Sequence, residues 1–122
     1  MSGIQILVVG GASLDTLECA DQEVAGGAGM YTAMAAWQSG AAVTLYAPRP
    51  EPMPAPLEMV AARLDWLGPA IDLPDLARFE ICYRGNETTY VNAHFGAELS
   101  LADDLLPAKL SGFDVVHLVP LG

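Results

Sequence analysis

Basic residues are scarce in this sequence. Only 5 lysines and arginines stand against 15 aspartates and glutamates, and the net charge is −10. Nucleic-acid binding depends on clustered cations that neutralise phosphates, and attraction to an anionic membrane surface depends on them too. The composition therefore argues against both kinds of partner. Because the single lysine is Lys109, a phosphorylated ligand would have to be held by backbone N–H groups or by a metal ion.

Cysteines and long apolar runs are also rare. Cys19 and Cys82 lie far apart and form neither a Cys-x-x-Cys pair nor a metal-binding pattern with His94 and His117. No apolar run reaches the ~18 residues of a membrane-spanning helix. The short apolar run at residues 4–9 has no basic residue before it, which is unlike a signal peptide. These absences predict a cytoplasmic protein with reduced thiols.

Several catalytic signatures are missing. The chain has no Gly-Lys-Ser/Thr sequence of a phosphate-binding loop, no Gly-x-Ser-x-Gly elbow and no His-Glu-x-x-His helix. P-loop nucleotidases are thereby excluded. A dinucleotide fingerprint is incomplete, because Gly27-Ala28-Gly29 supplies only two of its three glycines and follows a poor strand. Nicotinamide binding is left as one alternative, which a Val substitution at either glycine would test.

Glycine is concentrated in a turn that opens into an alanine-rich helix. Gly26, Gly27 and Gly29 precede a stretch of small and apolar residues that ends at Gly40. Glycines permit positive φ angles and let a ligand approach the main chain, while the first N–H groups of a helix stay available for an oxygen-rich ligand. The alternative is a tight turn before a buried helix.

The apolar residues predict an α/β domain. Hydrophobic residues make up 52% of the chain and charged residues 16%, so we expect a folded core. Residues 4–9, 42–47 and 113–119 read as buried strands of a parallel sheet, with the helix as a crossover between the first two. Residues 79–84 and 88–93 alternate polar and apolar side chains, which predicts a hairpin in a separate, half-exposed sheet.

The remaining segments give weaker local signals. Proline at every second position of residues 48–56 predicts an extended connector. An apolar stripe predicts a helix over residues 57–67, ended by Gly68-Pro69. Ser100-Leu101-Ala102-Asp103 resembles a capping box and predicts a short helix through Leu106.

Asp15 is the strongest candidate for a ligand-binding side chain. It comes just after the first predicted strand, where open α/β sheets place their ligands, and a carboxylate accepts hydrogen bonds from two hydroxyls. By itself, the position fits a loop or cap residue better than a ligand-binding role. His94 fits a surface residue and His117 a hydrogen-bonded core residue better than a ligand role.

Taken together, these motifs resemble the N-terminal half of the ribokinase/PfkB family of carbohydrate and nucleoside kinases. The likeness runs in the family's order along nearly the whole chain, in the segments Val8-Val9-Gly10-Gly11-Ala12-Ser13-Leu14-Asp15, Gly26-Gly27-Ala28-Gly29, Val43-Thr44-Leu45-Tyr46, Ile81-Cys82-Tyr83-Arg84-Gly85-Asn86-Glu87-Thr88-Thr89-Tyr90-Val91 and Phe113-Asp114-Val115-Val116-His117-Leu118. The fold that it implies is an α/β ribokinase-like sandwich with a mostly parallel central sheet and a small β lid. Residues 1–122 would form one partial domain, with lid elements near residues 12–25 and 78–94.

The resemblance also implies a reaction and a site. Such kinases transfer the γ-phosphoryl group of ATP, with Mg²⁺, to a hydroxyl of a sugar or nucleoside-like substrate. The substrate-binding residues carried over by position are Asp15, Gly26, Gly27, Ser13, Gly29 and Tyr31. Tyr31 departs from the family, since many members have Asn there, and Pro48-Arg49-Pro50-Glu51 replaces a Gly-x-Asp turn.

One family signature is absent from these residues. No Gly-Ala-Gly-Asp turn, which would carry the anion hole and the catalytic base, occurs in the sequence. We therefore expect the chain to be the substrate-side part of a larger kinase and to lack activity alone, since transfer depends on positioning and charge stabilisation of the phosphates. The alternative is a non-catalytic binding or assembly module that forms a homodimer through an exposed edge of the hairpin.

Overall fold

The computed structural model describes residues 3–17, 23–96 and 110–119. In these ranges the chain forms ten strands, two α-helices and one 3-10 turn. The strands fall into three sheets, of which the two larger have four strands each. The molecule is an α/β structure, as the sequence predicts.

The first sheet is parallel throughout. Its order is β10-β1-β4-β6, formed by β1 (Gln5–Val9), β4 (Ala42–Tyr46), β6 (Asp65–Leu67) and β10 (Val115–Leu118). The central strands β1 and β4 carry the runs of branched and apolar residues that favour burial, and Val8, Val43 and Leu45 are indeed buried. The prediction of parallel strands at both positions is confirmed.

Helix α1 (Ala28–Gln38) packs on this sheet. Its small and apolar side chains Met30 and Ala33 are buried against Val8, Val43 and Leu45. Gly29 lets the helix approach the first strand closely, since a Cβ there would lie 2.8 Å from Gly10 Cα. The helix ends at Gln38 and the chain then turns at Gly40, whose φ is 94°.

The second sheet has the order β3-β2-β8-β9. Its strands are β2 (Ser13–Leu17), β3 (Glu23–Gly26), β8 (Ala77–Arg84) and β9 (Glu87–His94). β2 lies parallel to β8, and the other two pairs are antiparallel. The predicted hairpin is β8 and β9, and it lies in a different sheet from β1, as its half-exposed pattern predicts.

The connecting region, residues 47–76, joins β4 of the first sheet to β8 of the second. The proline-rich segment contributes β5 (Arg49–Glu51), which pairs in parallel with β7 (Ala70–Asp72), and α2 (Ala55–Ala61) follows. Three fully buried leucines from distant parts of the chain pack together, namely Leu14 of β2, Leu57 of α2 and Leu76 just before β8. This small core fixes the base of the second sheet to α2.

The predicted helix over residues 57–67 is wrong in its second half. α2 ends at Ala61, and Asp65–Leu67 is strand β6. Leu57 and Val60 of the expected stripe are buried, whereas Leu67 is 38% exposed. Pairing with β4 and a hydrogen bond from Trp66 Nε1 to the Ala47 carbonyl oxygen stabilise the extended form. These tertiary contacts outweigh the helical periodicity of so short a segment.

The predicted burial of residues 113–119 is also wrong. All four residues of β10 are exposed, including His117, and Leu118 is 72% exposed. In the described part of the chain β10 has β1 as its one neighbouring strand. The apolar sequence predicts the strand correctly, but its burial depends on what covers it.

Two further expectations concern other parts of the chain. The short helix predicted at residues 100–106 and Cys19 lie outside the described residues. Cys82 is a buried, free thiol. Of the helices that the structure describes, none is long and apolar enough to cross a membrane.

Candidate functional site

Asp15 and Ser13 form the centre of the candidate site. β1 ends at Val9, and the buried link Gly10-Gly11-Ala12 leads the chain into β2 of the second sheet. Because side chains alternate along a strand, Ser13 and Asp15 lie on the same face of β2. Ser13 is 1% exposed and Asp15 is 5% exposed, and within the described ranges they are the two polar side chains that are buried. Burying a carboxylate costs free energy of folding, and groups buried at such a cost are frequent at functional sites. Asp15 is therefore a functional candidate.

The carboxylate of Asp15 is held by a short hydrogen bond. The Ser13 hydroxyl donates to Asp15 Oδ1 over 2.7 Å. Burial raises the pKa of the Asp15 carboxyl above its ordinary value of 3.8, and the Ser13 hydrogen bond opposes part of that rise. Oδ1 thus accepts a hydrogen bond from within the chain. A substrate hydroxyl would therefore donate its hydrogen bond to Oδ2.

Gly26 lies directly against this carboxylate. A Cβ placed on Gly26 would lie 2.0 Å from Asp15 Oδ2 and 2.4 Å from its Cγ, closer than any side chain allows. Gly26 pairs with Ser13 across β2 and β3, so Asp15 reaches diagonally across the neighbouring strand. The Asp15 carboxylate can therefore occupy this position only because residue 26 has no side chain.

Gly27 and Gly29 pack against the chain itself. Gly27 has a φ of 98°, and a Cβ there would lie 2.6 Å from the Gly11 carbonyl oxygen. A Cβ on Gly29 would lie 2.6 Å from the Gly11 nitrogen. The Met30 N–H donates to the Gly11 carbonyl oxygen over 3.0 Å. The turn before α1 thus packs directly against the backbone of Gly11. This packing alone requires glycine at positions 27 and 29, independently of any ligand.

Tyr31 extends from the first turn of α1 toward β3. Its hydroxyl donates to the Ala25 carbonyl oxygen over 3.3 Å, and the side chain is 57% exposed. The structure thus brings Ser13, Asp15 and Gly26 into contact, and it places Tyr31 on the strand residue next to Gly26. That a ligand binds to these residues remains a prediction.

The sequence did not identify Phe79 as a neighbour of Asp15. Phe79 pairs with Asp15 between β2 and β8, and Ala93 pairs with Phe79 between β8 and β9. Paired residues project to the same face of a sheet. The alternation within the hairpin indicated that Phe79 points to its apolar side, but no local signal shows which strand lies beside it.

A cavity of about 430 Å³ opens along the second sheet. Seven residues line it, namely Thr16, Arg78, Phe79, Glu80, Asn92, Ala93 and His94. By the register, the five polar lining residues alternate with Asp15, so their side chains project to the opposite face from Asp15. The cavity therefore combines charged and polar side chains with Phe79 and Ala93, whose positions belong to the Asp15 face of the sheet.

The described residues do not fit ATP or its metal ion. Each arginine whose side chain the structure describes has a partner within the chain: Arg49 pairs with Glu51, Arg78 pairs with Glu23, and Arg63 lies 4.7 Å from the centre of the Trp37 ring. Within the described ranges no three His, Cys, Asp or Glu side chains are grouped so as to hold a metal ion. The described residues therefore have no assigned part in binding ATP or Mg²⁺.

The fold is similar to that of solved sugar kinases. An uncharacterized sugar kinase from Pyrococcus horikoshii has a TM-score of 0.57 at 17% sequence identity, over 82% of this chain. A complex of that kinase with ATP gives 0.59 at 16% identity, also over 82% of this chain. A carbohydrate kinase from Agrobacterium tumefaciens gives 0.52 at 23% identity over 75% of this chain.

The chain spans about a third of these kinases, covering 36%, 34% and 34% of their chains. The sequence matches no protein-family model, and no curated protein matches it. At these identities the likeness establishes the α/β fold with its mostly parallel central sheet.

Proposed function

We propose that this chain is the acceptor-binding part of a PfkB-type kinase. Such an enzyme transfers the γ-phosphoryl group of ATP to a hydroxyl of a sugar or nucleoside-like substrate. Support comes from the fold shared with sugar kinases and from the order of the sequence motifs. We also propose that the enzyme is cytoplasmic.

The observation that carries the proposal is the buried Asp15 carboxylate. It lies at the start of the second sheet, held on one oxygen by Ser13 and seated over Gly26. A carboxylate in this setting accepts a hydrogen bond from a substrate hydroxyl and orients it, since an orienting hydrogen bond in a dry site is strong. Gly27, Gly29 and Tyr31 lie at the adjoining turn and helix start, where they would line the same site.

The second sheet would act as the lid of this site. β2, β3, β8 and β9 form one sheet, and closure of such a sheet over the acceptor would exclude water from the transfer. ATP and Mg²⁺ would be bound by residues other than those described. Those residues would also supply the anion hole and the catalytic base. Asp15 would therefore bind and orient the acceptor and would take no part in proton removal.

The experiment is a binding titration of the purified chain against neutral sugars and nucleosides, by calorimetry. We expect saturable binding of at least one compound, lost by tenfold or more in Asp15→Asn, because an amide donates where the carboxylate accepts. Asp114→Asn is the matched control, as it removes the same charge from an exposed carboxylate that accepts a hydrogen bond from the Gln5 N–H. Equal binding by Asp15→Asn and wild type would contradict the proposal.

A second measurement tests the expected inactivity of the chain alone. The same preparation with ATP, Mg²⁺ and each acceptor should form no ADP above a blank without protein. ADP formation that depends on the acceptor and disappears in Asp15→Asn would show that these 122 residues suffice for catalysis.

A further inference from the structure

Asp15 lies in a row of apolar residues that crosses one face of the second sheet. Val24 and Phe79 flank Asp15 on the two neighbouring strands, and Ala93 lies beyond Phe79. These residues share a face because paired positions project to the same side of a sheet. A ligand that reaches the carboxylate therefore lies along a strip of hydrocarbon.

Phe79 is fixed in a defined orientation on this strip. Its ring packs edge-on against Phe95, with 5.5 Å between ring centres and an angle of 80° between planes. Neighbouring strands lie about 4.8 Å apart, so the side chain of Phe79 begins next to Asp15. An aromatic surface beside a carboxylate suits a molecule that offers hydroxyls on one side and carbon atoms on another.

The basic side chain next to Phe79 points away from this face. Arg78 pairs in register with Leu14 and His94, on the side opposite Asp15, and forms an ion pair with Glu23. An acceptor that carries a phosphate or carboxylate near Asp15 would lose hydration of its charge and would meet a second negative group.

From this arrangement we propose that the acceptor bound at Asp15 is an uncharged polyhydroxy compound that places a carbon face against Phe79, and is neither a sugar phosphate nor a sugar acid. The inference rests on the proposed kinase function and specifies the substrate class of the same site. Phe79 is then a specificity-determining residue, acting by contact with the acceptor.

The test compares neutral compounds with matched anions by calorimetry on the purified chain. The pairs are ribose with ribose phosphate, glucose with gluconate, and adenosine with its monophosphate. We expect the neutral member of at least one pair to bind at least tenfold tighter than its anion. Phe79→Ala should weaken that binding by about tenfold, and Phe79→Leu should weaken it less because an apolar surface is kept.

Arg78→Gln is the matched control, because it alters the adjacent position on the opposite face. It should leave the affinity for the neutral compound unchanged. Circular dichroism of each variant checks that the fold is retained, and Phe79→Leu carries the test if Phe79→Ala does not fold.

The outcomes separate the inference from the proposed function. Preferred binding of an anion that is lost in Asp15→Asn would overturn the neutral-acceptor inference and leave the kinase proposal intact. Anion binding that is lost in Arg78→Gln and kept in Asp15→Asn would place the ligand on the other face of the sheet, and would overturn the inference. Failure of every neutral and anionic compound to bind would overturn the proposed function, and the inference with it.

Discussion

At the scale of single residues, Gly26 and Asp15 form one unit. An added Cβ at position 26 would overlap Asp15 Oδ2, so in Gly26→Ala the carboxylate has to rotate away from its place. We expect this variant to lose acceptor binding by about tenfold or more, equivalent to roughly 1.4 kcal/mol, with a smaller loss of stability, because the obstructing group is a side chain.

Gly112→Ala is the control for this prediction. A Cβ there meets nothing within 4 Å, so the same chemical change is made in open space. Titration and urea denaturation of both variants provide the measurement. Unchanged acceptor affinity in Gly26→Ala would show that Asp15 does not depend on this contact.

The raised pKa of Asp15 predicts a pH-dependent stability. Burial disfavours the ionised carboxylate in the folded state, so below the ordinary value of 3.8 the group is neutral in both states and has no such effect. As pH rises from that value to the raised folded pKa, the folded protein loses stability from this group, and the loss is complete above the folded pKa.

Asp15→Asn removes this titration. The stability of the variant relative to wild type should therefore grow as the pH rises from about 4 toward 7, and should level off above the folded pKa. Urea denaturation at a series of pH values measures the difference. A difference that is independent of pH would mean that the burial of Asp15 does not disfavour its charge.

At the scale of elements, α2 attaches the connecting region to the second sheet through Leu57. This side chain is 0% exposed and packs with Leu14 and Leu76. Leu57→Ala should reduce the free energy of unfolding by about 2–5 kcal/mol, through lost apolar burial and the cavity that remains.

Met59→Ala is the control on the same helix, since Met59 is 60% exposed. It should change the free energy of unfolding by no more than about 0.5 kcal/mol. Urea denaturation followed by circular dichroism gives both values. Equal effects of the two substitutions would argue against the small leucine core.

At the scale of the whole molecule, two sheet edges differ in chemistry. β10 exposes Val115, Val116 and Leu118, by 43%, 39% and 72%, whereas the β9 edge carries exposed polar residues such as Thr88 and Asn92. Exposed apolar edge strands pair with other chains. We expect this chain to self-associate through β10, and Leu118→Lys to shift it toward monomer in sedimentation velocity.

Thr88→Lys is the comparison on the hairpin. It should leave the association unchanged if β10 is the contact. The opposite result, monomers from Thr88→Lys and oligomers from Leu118→Lys, would favour the homodimer through the hairpin that the assembly-module alternative predicts.

Features that depend on local periodicity can be predicted from the sequence alone. The apolar runs of β1 and β4, the alternation of the hairpin and the glycine turn before α1 are encoded in neighbouring residues, because burial on one or two faces leaves a period in the sequence. The position of Asp15 after the first strand was likewise visible, and the class of fold followed from the order of these elements.

Which helices and strands contact one another depends on the three-dimensional fold. Asp65–Leu67 is a strand because β4 offers it hydrogen bonds, and β10 is exposed because it lies at an edge. Phe79 stands beside Asp15 through the pairing of β2 with β8, and Gly26 is a glycine because a carboxylate from another strand occupies the space of its side chain. Such contacts join residues far apart in the chain, so no local pattern records them.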